Sequence, residues 1–115
     1  MTRGELYWAD LHPRSGAERS GRRPVIVVSH DGFNAIPAWR SIIVVPLSTS
    51  ARQARRGPTT VSLPRGVAGL RKESVALCHQ VTTLDRSKLT VRIGALPRPY
   101  LEDVGLALRA AMDLL

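Results

Sequence analysis

At 115 residues the chain has room for one modest core and a single domain, residues 1–115. Its 43% hydrophobic content includes no apolar run near the roughly 20 residues of a membrane span, and Arg3 and Glu5 stand where a secretory leader needs apolar residues, so a cytoplasmic protein is expected. Fifteen arginines and two lysines against nine acids give a formal charge of +8, and the lone Cys78 excludes both an internal disulfide and a thiolate metal cluster.

Residues 4–10 read as a first strand with Leu6 and Trp8 on one face. A loop rich in Pro, Ser, Gly and Arg follows over 11–21. The β-branched run 25–29 is a second strand opened by Pro24, which places Arg23 at its lip. After a loop over 30–40, residues 41–47 read as a buried third strand ending near Pro46. The polar stretch 48–58 carries a basic cluster. A fourth strand is expected over 59–63 before a Pro-Arg-Gly turn, a fifth over 73–84, and a sixth over 89–96. In the fifth, alternation puts Val75 and Leu77 on one face, with His79 in line, and Ala76, Cys78 and Gln80 on the other. After Pro99 the period changes: Leu101, Val104, Leu108, Ala111 and Leu115 mark an amphipathic helix, with Glu102 and Asp103 complementing its N-terminal dipole. Short strands with one terminal helix imply a small β-barrel or sandwich closed by that helix.

The charge is segregated. Residues 14–23 hold four arginines and one acid, and residues 51–72 hold Arg52, Arg55, Arg56, Arg65, Arg71 and Lys72 with no acid. A basic face of this kind suits a polyanion, nucleic acid first, or an acidic protein. His12, His30 and His79 have no metal-ligand spacing, and no Gly-rich nucleotide loop or G-x-S-x-G elbow is present, so neither metal nor cofactor is expected. What remains is arginine, one or two hydroxyls and Glu18. That set suits phosphodiester chemistry on RNA, which carries its own 2′-hydroxyl nucleophile. The protein then needs to position the backbone and stabilise the pentavalent charge. Arg23 fits the electrostatic part.

The run from Arg3 to Leu11 with Pro13, then Gly16-Ala17-Glu18, then Arg22 to Ser29 with Asp31 and Asn34, resembles the MazF/PemK family of bacterial toxin endoribonucleases. The likeness continues through Val44-Val45-Pro46-Leu47-Ser48-Thr49-Ser50, Glu73 to Asp85, and Arg92 to Leu96, and so covers essentially the whole chain. It implies a mainly β fold, a small antiparallel barrel with a C-terminal helix, assembled as a homodimer in the bacterial cytoplasm. It implies metal-independent, sequence-specific cleavage of single-stranded RNA through a 2′,3′-cyclic phosphate. It also implies inhibition by a MazE-like antitoxin whose acidic tail lies in the RNA groove. Arg23 matches the catalytic arginine, Ser48 the catalytic hydroxyl and Glu18 a loop acid that orients the arginine or contacts a base. A one-residue shift exchanges Ser48 with Thr49. Arg22, Ser29, Asn34, Thr49, Arg52, Arg55, Arg56 and Gln80 are the expected RNA contacts, although alternation also allows Gln80 the core side. Thr82 stands where many members carry a basic residue. The alternatives are a non-catalytic gyrase inhibitor of the CcdB type, whose aromatic, glycine-bearing tail is missing from Met112-Asp113-Leu114-Leu115, and an inactive RNA- or antitoxin-binding paralogue.

Overall fold

β-branched residues dominate the middle of the chain, and they form its central strands. The computed structural model describes residues 1–11, 21–50 and 57–114. Strands β1 (Glu5–Leu11), β2 (Gly21–Val27) and β3 (Ser41–Ser48) lie side by side, with the single-turn helix α1 (Asp31–Asn34) between β2 and β3. Strands β4 (Thr60–Leu63), β5 (Ser74–Leu77), β6 (Thr82–Asp85) and β7 (Leu89–Ala95) follow, and helix α2 (Arg98–Met112) ends the chain. All pairings are antiparallel. The sheet runs β4-β5-β3-β2-β1-β7, with β6 added to the start of β3.

The expected barrel does not close, because β4 and β7 end the sheet without pairing to each other. Helix α2 packs on β4, and the turn Val67–Gly69 packs on β7, so apolar cover replaces strand pairing on the open side. The sheet is buried on both faces. Leu6, Ile26, Val45 and Leu47 face the larger core with Val104, Ala107 and Leu108 of α2, while Ala9, Val25, Val27, Ile42, Val44 and Leu89 form a smaller core on the opposite face. Such a sheet reads in sequence as continuous apolar runs rather than alternation.

Three expected elements change. The fifth strand breaks at a 3-10 turn, Cys78–Gln80, into β5 and β6. All four residues of β5 are buried, so its period-2 reading carried no face information. Strand β2 starts at Gly21, which puts Arg22 and Arg23 inside the strand, paired with Asp10 and Ala9, rather than at its lip. Pro24 lies just outside the β2–β3 pairing, where the donor it lacks is not called on. In α2, Glu102 and Asp103 fall beyond the first turn, and Glu102 instead accepts from Arg98 Nε at 3.2 Å. Ala107 joins the buried stripe, and Leu115 lies outside the described residues. Among the described residues no helix is long and apolar enough to cross a membrane.

Candidate active site

The β2–β3 register decides which arginine meets which hydroxyl. Val25 pairs with Pro46, Ile26 with Val45 and Val27 with Val44. The pairing ends at Val25 and Pro46, and alternation along each strand puts Arg23 and Ser48, two residues farther on, on the face those two share. Arg23 Nη2 donates to the Leu47 carbonyl at 3.2 Å, which ties the guanidinium to this end of β3. Ser48 is 6% exposed, and its Oγ accepts from the Ser50 amide at 3.1 Å. A hydroxyl whose oxygen is engaged in this way keeps its own O–H to give to a ligand. Arg23 is half-buried, so its charge acts in a partly desolvated environment where it is worth more than in water.

Arg22 and Thr49 lie on the other face. The Arg22 guanidinium stands 5.0 Å over the Trp8 ring, and Thr49 is exposed. Both line a groove of about 690 Å³ with Trp8, Leu70, Arg71, Lys72 and Ser74. Trp8, Arg71 and Lys72 were not among the expected site residues. The Arg-Lys pair in the acid-free run 51–72 was visible in the sequence, but its position against Trp8 depends on how the 64–73 connection folds back.

Ser29 and Asn34 are placed differently from expectation. They are 4% and 2% exposed. Ser29 Oγ donates to Asn34 Oδ1 at 2.5 Å, and Asn34 Nδ2 donates to the Ser29 carbonyl at 2.7 Å and to Asp31 Oδ1 at 3.1 Å. Their polar atoms close the β2–α1 corner instead of facing a ligand. The Arg3 amide, donating to Asp31 Oδ1 at 2.6 Å, followed by the Asn34 side chain, holds the Asp31 carboxyl below its usual range. Gln80 ends the 3-10 turn and is exposed, off the core side that alternation had allowed. That turn packs against β3 on the flank where β5 and β6 pair, so Gln80 and Arg23 approach the strand from opposite sides. Thr82 pairs with Val44 in β6. Glu18, Arg52, Arg55 and Arg56 lie outside the described residues. Cys78 is buried, and that burial pushes its thiol up to about 11, which removes it as a nucleophile at neutral pH.

The model of the PemK-like, MazF-like toxins of type II toxin–antitoxin systems matches residues 2–112. The chain belongs to this family. It is 37% identical over 114 residues to the endoribonuclease MazF6 of Mycobacterium tuberculosis, covering 99% of this chain and 98% of the relative. It is 33% identical over 115 residues to the endoribonuclease EndoA of Bacillus subtilis, covering 100% and 97%. The MazE–MazF crystal structure from Deinococcus radiodurans matches with a TM-score of 0.78 at 26% identity, covering 100% of this chain and 97% of the other. A mycobacterial endoribonuclease in complex with its cognate antitoxin matches with a TM-score of 0.79 at 24% identity, a likeness of fold. The mainly β architecture with a terminal helix is therefore the MazF type, with an open sheet.

Proposed function

We propose that this chain is the toxin of a type II toxin–antitoxin pair, a metal-independent endoribonuclease acting on single-stranded RNA in the bacterial cytoplasm. The observation that carries the reading is the bond from the half-buried Arg23 guanidinium to the Leu47 carbonyl, next in sequence to Ser48, a hydroxyl that still has a proton to donate. The substrate's 2′-oxygen attacks phosphorus, the 5′-oxygen leaves and a 2′,3′-cyclic phosphate remains. The 2′-hydroxyl loses a proton and the departing 5′-oxygen gains one. Arg23 balances the charge that builds on the non-bridging oxygens, and Ser48 donates to an oxygen of the same phosphate. Glu18 supports Arg23 or reads a base, and Arg52, Arg55 and Arg56 hold the strand. Gln80 contributes a polar edge. The chain works as one domain within a homodimer, and its antitoxin covers the RNA groove with an acidic tail. Relatives named as endoribonucleases, and solved toxin–antitoxin complexes with this fold, support that assignment.

The test is incubation with mixed-sequence single-stranded RNA in excess EDTA, with fragment ends mapped and Arg23→Ala run in parallel. Discrete cuts ending in cyclic phosphate, made only by the wild type, are expected. Cutting by Arg23→Ala at the wild-type rate would remove Arg23 from the site. No cutting by either protein would end the ribonuclease reading and direct the next assay to gyrase supercoiling.

A further inference from the structure

Arg22 and Thr49 each follow or precede a site residue by one position, yet both face the groove beside Trp8. We propose that this groove is a second nucleotide subsite, which holds a nucleotide next to the cut bond as the RNA strand passes over the β2–β3 end from one sheet face to the other. The proposal rests on the endoribonuclease reading and adds a place for RNA on the face away from Arg23.

Three observations carry it. The lining combines a stacking surface with positive charge: the Trp8 indole under the Arg22 guanidinium, and Arg71 and Lys72 on the facing wall. Bases stack on aromatic rings and on guanidinium planes, while lysine and arginine take the phosphates. Among the described residues lining the groove none is acidic. Asp10, opposite Arg22 in the register, and Glu73, beside Lys72, stand outside the lining. The facing wall is also rigidly built. Ala68 is held at φ 55 and ψ 27, a left-handed conformation costly for a residue with a Cβ. Gly94 lies so close beneath it that a Cβ there would meet the Ala68 carbonyl oxygen at 2.2 Å, and a Cβ on Gly69 would meet the Ile93 carbonyl oxygen at 2.8 Å. A backbone pressed this tightly onto β7 fixes the segment that presents Leu70, Arg71 and Lys72.

Single-stranded RNA fits this lining better than an acidic peptide does, because a nucleotide can use the aromatic surface of Trp8 as well as the cations, whereas a carboxylate uses the cations alone. Trp8 can also report on its own occupancy. The chain has two tryptophans, so Trp39→Phe leaves Trp8 as the sole indole. This variant would be titrated with mixed-sequence single-stranded 2′-O-methyl RNA, which resists cleavage, and separately with a polyglutamate peptide, while Trp8 fluorescence is read. Arg71→Ser/Lys72→Ser, both exposed positions, would be measured in the same way and in cleavage of unmodified RNA.

RNA is expected to quench Trp8. The double variant should raise KM and the half-saturation by about tenfold with kcat unchanged, and should lower the log–log salt slope by about 1.4, roughly 0.7 for each cation removed. RNA cut normally while Trp8 stays silent would overturn the subsite and leave the ribonuclease standing. RNA quenching Trp8 in a protein that cuts nothing would keep the subsite and end the ribonuclease reading. Quenching by polyglutamate but not by RNA would give the groove to a protein partner and overturn the proposal.

Discussion

Ser48 and Thr49 are neighbours along the chain and face opposite ways across the sheet. Ser48 shares a face with Arg23 through the β2–β3 register, and Thr49 shares the Trp8 groove. Ser48→Ala should therefore lower kcat by about 10²–10³-fold with little change in KM, the range for losing one hydrogen-bond donor to the charge that builds in the transition state. The lost hydrogen bond to the Ser50 amide should cost only about 1 kcal/mol of stability. Ser48→Thr should restore most of the rate. Thr49→Ala should leave kcat in place and raise KM. Single-turnover cleavage separates the two, and a kcat loss confined to Thr49→Ala would exchange their roles. Composition and motif could place a hydroxyl at this point of the chain. They could not say which one, because that depends on a strand pairing between residues more than twenty positions apart. Arg23 itself was legible, as a basic residue next to a β-branched run. The groove beside Trp8 was not, because its walls come from five separate segments.

At the scale of elements, the β2–β3 connection is an ordered device rather than the simple loop expected over 30–40. Arg86, just past the end of β6 and beside the start of β3, donates to the carbonyls of Trp39, Asn34 and Ile36 at 2.9 Å each, and Ser29 and Asn34 bond to each other across α1. Asn34→Ala would leave the Ser29 carbonyl and hydroxyl without that partner, at a cost of about 1–3 kcal/mol. Denaturant unfolding should register this loss while the salt slope of RNA binding stays as it was. A flattened slope with full stability would return Asn34 to the RNA surface. Asp85 makes a similar anchor at the end of β6. Its carboxylate accepts from Arg40 at 3.0 Å and from the Ser87 amide at 2.9 Å. Those bonds, Arg40 first and then Ser87, hold its pKa well below the usual carboxylate range. A carboxyl depressed on folding stabilises above its unfolded pKa of about 3.9, and that contribution fades as pH falls below it. Asp85→Asn should therefore lower Tm at neutral pH, with the gap to wild type closing below about pH 4. A gap constant from pH 7 to pH 3 would mean that charge plays no part. Helix α2 was legible from its 3.6 period because one stripe alone is buried. β5 was misread because burial on both faces erases the alternation by which a strand is phased.

At the scale of the whole molecule, a charge of +8 predicts a polyanion partner but not where it sits. The distinction that matters is between cations in contact with RNA and cations that merely raise the surrounding potential. At physiological salt the Debye length is about 8 Å, so a charge farther than this from a phosphate contributes little to affinity. Replacing Arg52, Arg55 and Arg56 with Ser takes the net charge from +8 to +5 whichever role they play. If all three touch phosphate, the slope of log K against log salt should fall by about 2, roughly 0.7 for each contact on a single strand. If they act only through the field, association slows at low salt and the slope measured near physiological salt barely moves. The matching experiment on Arg71 and Lys72 supplies the comparison, with an expected fall of about 1.4. When both sets are removed together, falls that sum to about 3.5 would mean that the strand contacts both at once. A combined fall no larger than that of either set alone would mean that the two sets serve the same phosphates, so the strand would run along one face of the sheet rather than over its end.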